Sequence, residues 1–406
     1  MSSSSSQFRP AGRNLIPFLL KFAICWYVAM CLLHYFSQRP LWNDEQCVFL
    51  SIEYFSPVDM YTKTLLALQV FPRTYLFVIQ QFAKLFDLHL LSLRFPSFVC
   101  MMLAFWIWMK IARREFSDPR KLLLFVISWC ASETMIYYSA ELKQYSMDVF
   151  AAAVLIWFLM HQVEWQEQMR RSAFILMLVV LAALGLFSYM AFAFMPLIFY
   201  NLAISLKKDR SLMVSMGIFV LTLLAVSWVV YFCDMRLVSD VLHTPVGYGD
   251  YFIMFTSAEE FFKTFGEGVK SLFSKYYVIR PRIFNYISVF FAVPAVVYMF
   301  IRFFREFRWG RPVNSLDRMA LLLFGELVLL GALQVYPFTV PRLSLFYAPV
   351  VLYLTIQGIE SMRFIHKWLY YVYRTAFITY LFVCVSGLAK VLILKGHLGI
   401  LTYIWS

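Results

Sequence analysis

The sequence predicts an all-α polytopic membrane protein, with roughly eleven transmembrane helices and interfacial helices in two long outer loops. Three observations carry this. Hydrophobic residues make up 62% of the 406 and charged ones only 15%, too little polar surface for a soluble chain that would need two or more cores. Apolar runs near the ~20 residues that a spanning helix requires follow one another along the chain. The basic residues behind the formal net charge of +13 sit in short clusters between those runs. That is the pattern of loops retained on the inner side, and it speaks against nucleic-acid binding.

The elements follow in order. The first span, 15–36, follows Arg9 and Arg13, carries Lys21 near its start and has no small-residue cleavage site behind it, so it is expected to remain as an anchor with the N-terminus inside. Residues 37–93 form the first outer loop. Within it, Glu45 to Phe55 and Tyr75 to Phe86 mix apolar residues at helical spacing with polar ones, as helices lying in the interface do, and Pro57 and Pro72 interrupt them. Span two, 94–112, ends inside at Lys110, Arg113 and Arg114. Span three, 122–139, returns outward to Glu141, and span four, 148–161, goes back to Arg170 and Arg171. Spans five and six, 172–188 and 190–206, form a hairpin through Ser188 and Tyr189 that ends at Lys207, Lys208 and Arg210.

Span seven, 212–232, opens the second outer loop, 233–285, with its turn-rich His243 to Asp250. Span eight, 286–301, leads to the densest basic loop: Arg302, Arg305, Arg308, Arg311 and Arg318. Span nine, 319–335, rises to Tyr336-Pro337. Span ten, 343–359, descends to Arg363 and Lys367, and span eleven, 372–389, leaves the C-terminus outside. Residues 1–406 thus read as a single transmembrane domain. The cysteines show neither metal-ligand spacing nor a CxxC pair.

In this topology the informative polar side chains gather on the outer face: Asp44 and Glu45, Glu141 and Lys143, and Arg342. Adjacent acids near a bilayer are costly unless a cation, a metal or a reacting proton uses them. The plainer reading is a helix cap at Asn43 or Asp44. Carboxylates there could deprotonate a hydroxyl nucleophile or hold a divalent cation. Arginine and lysine could bind a phosphate, Arg342 through its fork and Lys143 as a point charge. Each has a structural alternative: Glu141 and Lys143 as the solvated end of span three, Arg342 as an interfacial anchor, Arg94 as half of a structural pair. Glu133, Tyr137 and Glu141 share a helical spacing and are expected to line one cavity. Glu326, within span nine, calls for a structural partner.

Four stretches resemble membrane glycosyltransferases of the GT-C fold, family 39-like, the class of protein O-mannosyltransferases and lipid A aminoarabinose transferases. Trp42-Asn43-Asp44-Glu45 is similar to their first-loop Asp-Glu motif. Leu93-Arg94-Phe95-Pro96-Ser97 is similar to the stretch opening their second span. Tyr137 to Asp148, reading YYSAELKQYSMD, resembles the bacterial members most specifically, and Pro341-Arg342 resembles their late outer-loop arginine. The family's Lys/His-Pro-Pro-Leu element is replaced by Phe71-Pro72-Arg73-Thr74-Tyr75, which leaves Arg73 as the stand-in base.

The resemblance implies inverting transfer of a sugar from a polyprenyl-phosphate carrier to a lipid, glycan or protein acceptor, on the outer face of a bacterial inner membrane. Asp44 would be the base, supported by Glu45 and Glu141, with Mg or Mn as a candidate metal on these three acids. Arg342, Lys143 and Arg73 would hold the donor phosphate. The rival readings are a transporter or flippase for lipid-linked sugars and an O-antigen ligase or polymerase-type enzyme.

Overall fold

The computed structural model describes residues 15–238, 251–274, 276, 283–306, 311–338, 340 and 342–398. The turn-rich 243–250, Pro341, Arg308 and both chain ends lie outside the described residues. Among the described residues the protein is all helical, without a strand. Eight of the described helices are long and apolar enough to cross a membrane.

The first part of the chain builds α1 (Leu15–Phe36), α2 (Asn43–Tyr54), α3 (Arg73–Lys84), α4 (Leu90–Glu115), α5 (Pro119–Cys130), α6 (Glu133–Tyr138) and α7 (Tyr145–Gln168). The remainder builds α8 (Arg171–Ala183), α9 (Met195–Leu206), α10 (Leu212–Val230), α11 (Ala258–Ser274), α12 (Ile283–Glu306), α13 (Leu316–Ala332), α14 (Ala348–Ser361) and α15 (Lys367–Lys395). The two expected interfacial helices are α2 and α3. They pack on each other and on the start of α4 through Val48, Ile52, Leu76, Ile79 and Leu93, all buried.

Two of the eight membrane-length helices, α9 and α14, reach that length only with the 3-10 turns that adjoin them, as Tyr189–Leu206 and Leu345–Phe364. Three of the eleven expected spans are helical but fall short: α5 has 12 residues, α8 has 13 and α13 has 17. At 1.5 Å per residue, the 12-residue helix reaches about 18 Å, well short of a hydrocarbon core. The expected third span is broken at Ala131 and Ser132, where the Ser132 hydroxyl donates to Tyr276 O at 2.6 Å and accepts from Met135 N at 3.4 Å. Helix α6 then stops at Tyr138, so Glu141 lies beyond it and does not share a helical face with Glu133.

α4 packs along α7, and α12 along α14. In the second pair the backbones touch: a Cβ on Gly358 would lie 2.3 Å from Pro294 O, so only glycine fits there. The two ends of the bundle differ in chemistry. Arg94 and Arg114 stand at opposite ends of α4, about 30 Å apart at helical rise, which matches the hydrocarbon thickness. At the Arg114 end lie Lys207, Lys208 and a latch in which Asn201 donates to Val313 O at 3.0 Å and accepts from Val313 N at 2.7 Å. The Arg94 end carries α2, α3 and the loop between α13 and α14.

Candidate active site

Four segments distant in sequence meet at the Arg94 end. Trp42 precedes the first turn of α2, which presents Asp44 and Glu45. Neither Asn43 nor Asp44 caps the helix. Glu45 instead reaches back toward Trp42 N at 3.4 Å. Its carboxylate is fully buried and is the structural centre of the site. Arg39 Nη1 donates to Oε2 at 2.7 Å, while Arg94 forks onto it, Nε to Oε1 at 3.1 Å and Nη2 to Oε2 at 3.0 Å. The backbone N–H of Leu142 closes the set, donating to Oε1 at 2.7 Å. Glu45 thereby ties the end of α1, the start of α4 and the turn between α6 and α7 to one point. Arg94 is thus half of a structural pair whose other half is Glu45, and Arg39 is a second partner of the same carboxylate, its guanidinium also lying 4.7 Å over the Tyr137 ring.

Removing one member of a buried ion cluster strands the others, at a cost of roughly 3–5 kcal/mol. Glu45→Gln should therefore lower the thermal unfolding temperature in detergent and lose activity together with the fold. Unchanged unfolding would remove Glu45 from this role.

Asp44 points the other way and is partly open, at 16% side-chain exposure. Lys143 Nζ lies 3.0 Å from Oδ1 and Arg342 Nη1 3.0 Å from Oδ2. Burial opposes its ionisation, yet these two cations outweigh burial and hold its pKa below the usual carboxylate range. Burial pulls Lys143 below the usual ammonium range, with Asp44 opposing. Gln69 also accepts from Lys143.

Glu141 is buried and near enough to both acids to feel their charge. The Trp42 indole donates to its Oε1 at 2.8 Å, and its Oε2 has no hydrogen-bond partner. Burial first, then the neighbouring Glu45, push its pKa up to about 8. The site thus sets four basic side chains, Arg39, Arg94, Lys143 and Arg342, against three acids, and burial opposes ionisation of one of them, Glu141; such a surplus of basic groups attracts anions.

Two expectations change. Arg73 is not a free base beside this site. It is buried, its Nε and Nη2 donate to Asp234 Oδ1 at 3.2 and 2.9 Å, and Nη1 donates to Met60 O and Lys63 O, both at 3.1 Å. Every guanidinium nitrogen is committed, which leaves no fork for a phosphate.

The acids also do not fit a divalent ion. Magnesium or manganese wants several oxygen ligands, whereas both oxygens of Asp44 and of Glu45 already face cations and only Glu141 Oε2 is uncommitted. Among the described residues no group of three or more His, Cys, Asp or Glu is placed to hold one metal ion.

Arg39, Gln69 and the Trp42 indole were not singled out as site groups by the sequence. A signal existed for the first: Arg39 is the sole Lys or Arg between Lys21 and Lys63.

Residues 71–232 match the family model described as dolichyl-phosphate-mannose-protein mannosyltransferase. The likeness to membrane glycosyltransferases seen in the motifs is borne out over that stretch. It encloses Arg94, Glu141 and Lys143; Asp44, Glu45 and Arg342 lie outside it, and the fold brings them to the same place. None of the curated proteins matches the chain. The crystal structure of ArnT from Cupriavidus metallidurans in the apo state is similar at 12% identity and a TM-score of 0.37, over 87% of this chain and 79% of that chain. That similarity is too loose to carry any residue correspondence.

Proposed function

We propose that the protein transfers a sugar from a polyprenyl monophosphate carrier to an acceptor hydroxyl or amine, on the outer side of the membrane, with inversion at the anomeric carbon. The observation that carries this reading is the pair of cations, Lys143 and Arg342, set on the two oxygens of one half-open acid.

Lys143 and Arg342 bind the donor phosphate. Because they are also the partners of Asp44, the incoming phosphate competes with that carboxylate for both. As they turn to it, Asp44 loses the charges that quench its basicity and becomes able to take the acceptor proton. The acceptor oxygen or nitrogen then bonds to the anomeric carbon, the bond from that carbon to the phosphate oxygen breaks, and polyprenyl phosphate leaves with its charge on Arg342 and Lys143. Glu141 and Trp42 shape the wall beside Asp44. Glu45 holds the segments in register, and Arg73 takes no part.

Two measurements test this. Proteoliposomes holding a radiolabelled polyprenyl-phosphate sugar should release polyprenyl phosphate as an acceptor becomes labelled; movement of intact donor across the bilayer without cleavage would instead favour a transporter. A cysteine introduced at exposed Ser257, near the site end, should react with an impermeant reagent from outside, and one at exposed Asn314 only after permeabilisation. The reverse accessibility would put the site on the inner face and overturn the assignment.

A further inference from the structure

Arg342 sits in a loop between α13 and α14 that must hold a guanidinium in place without a helix of its own. The loop begins with Gln334 in the left-handed region, φ 56°. One of its buried anchors is Phe338, 2% exposed. The ring enters a slot between α11 and α13. A Cβ on Gly268 would lie 2.2 Å from Phe338 Cδ1, and a Cβ on Gly331 would lie 2.7 Å from Phe338 Cβ. No side chain tolerates such approaches, so with the ring seated both positions admit glycine alone. Phe265 and Phe324 flank the ring, with centroids 6.3 and 6.4 Å away. Downstream, Tyr336 Oη donates to Leu343 O at 2.7 Å and Tyr276 Oη to Ser344 O at 3.0 Å, which brackets Arg342 on its other side.

We propose that Phe338, seated between Gly268 and Gly331, is the positioning residue that sets where the Arg342 guanidinium meets the donor phosphate. This rests on the reading of Arg342 as a phosphate ligand. Its described contacts are with Gly268, Gly331, Phe265 and Phe324 rather than with the site residues, so it acts through the three residues of chain that separate it from Arg342. An arginine misplaced by about 1 Å loses its bidentate grip while keeping its charge, so donor binding suffers and acceptor binding does not.

The test uses the full-length protein in detergent, with polyprenyl monophosphate as the binding probe and the acceptor KM as a second readout. Gly268→Ala should weaken probe binding about tenfold, or about 1.4 kcal/mol, and leave the acceptor KM unchanged. Phe338→Ala should weaken it similarly. The double variant should bind like F338A alone, because the added methyl then has no ring to meet.

Wild-type affinity in G268A, or an equal further loss from G268A in the F338A background, would overturn the proposal. Should G268A not fold, Phe338→Leu serves: a shorter plug should weaken the probe partially, and wild-type affinity there would also overturn it. Arg342→Ala separates the two ideas. If it binds the probe like wild type, the phosphate-site reading itself fails. If it binds weakly while G268A does not, only the role of Phe338 fails.

Discussion

Asp44→Asn should lower transfer by about 10²–10⁴-fold, the usual contribution of a general base, while binding the donor at least as tightly as the wild type. The second half of this expectation comes from geometry. Asp44 is the carboxylate that Lys143 and Arg342 face, each at 3.0 Å. An amide keeps the side chain's size but no longer competes with phosphate for them. A general loss of structure would weaken donor binding and turnover together, whereas loss of the base separates them. The measurement is therefore paired: polyprenyl monophosphate affinity and single-turnover sugar transfer on the same purified variant. Transfer at near wild-type rate would reduce Asp44 to an ionic tie between the first turn of α2 and two distant loops.

Much of this arrangement was legible in the sequence, and what was not has a common cause. Hydrophobic runs report burial in lipid directly, so the long helices fell close to where those runs put them, as did the loop helices α2 and α3, of which α3 is the amphipathic one. The adjacent acids, the Glu141-Leu142-Lys143 turn and Arg342 were visible as polar groups at the ends of apolar runs. Partners far along the chain were not visible. The break between α5 and α6 depends on Ser132 bonding to Tyr276, 144 residues away, and Arg73 is taken up by Asp234, 161 residues away. The division of labour within the Asp-Glu pair was hidden for the same reason. Consecutive residues in a helical turn point about 100° apart, so one acid faces the half-open site while the other is buried among Arg39, Arg94 and Leu142 N. Reading both as catalytic, or as a metal site, treats neighbours in sequence as neighbours in function. The slot for Phe338 leaves no trace at all in a single sequence, since Gly268 and Gly331 look like any helical glycines until the ring is in place.

Arg342→Ala should reduce kcat/KM by about 10²–10³-fold, the range for removing one preorganised group that stabilises charge on a leaving oxygen. Part of the loss should appear in donor affinity and part in turnover, because the charge on the departing phosphate grows as the bond to the sugar breaks. Arg342→Lys should recover only some of it. An ammonium restores the charge that Asp44 and the phosphate both meet, but it cannot span two phosphate oxygens, and its shorter reach falls back toward Lys143. The charge alone also has a consequence at rest. With Arg342 gone, Asp44 keeps Lys143 as its sole described cationic partner, so its carboxyl should titrate at higher pH than in the wild type. The acid limb of the activity profile of the alanine variant should shift upward accordingly. Unchanged donor affinity and rate in Arg342→Ala would return this arginine to the role of an anchor at the membrane surface and leave Lys143 as the candidate phosphate ligand.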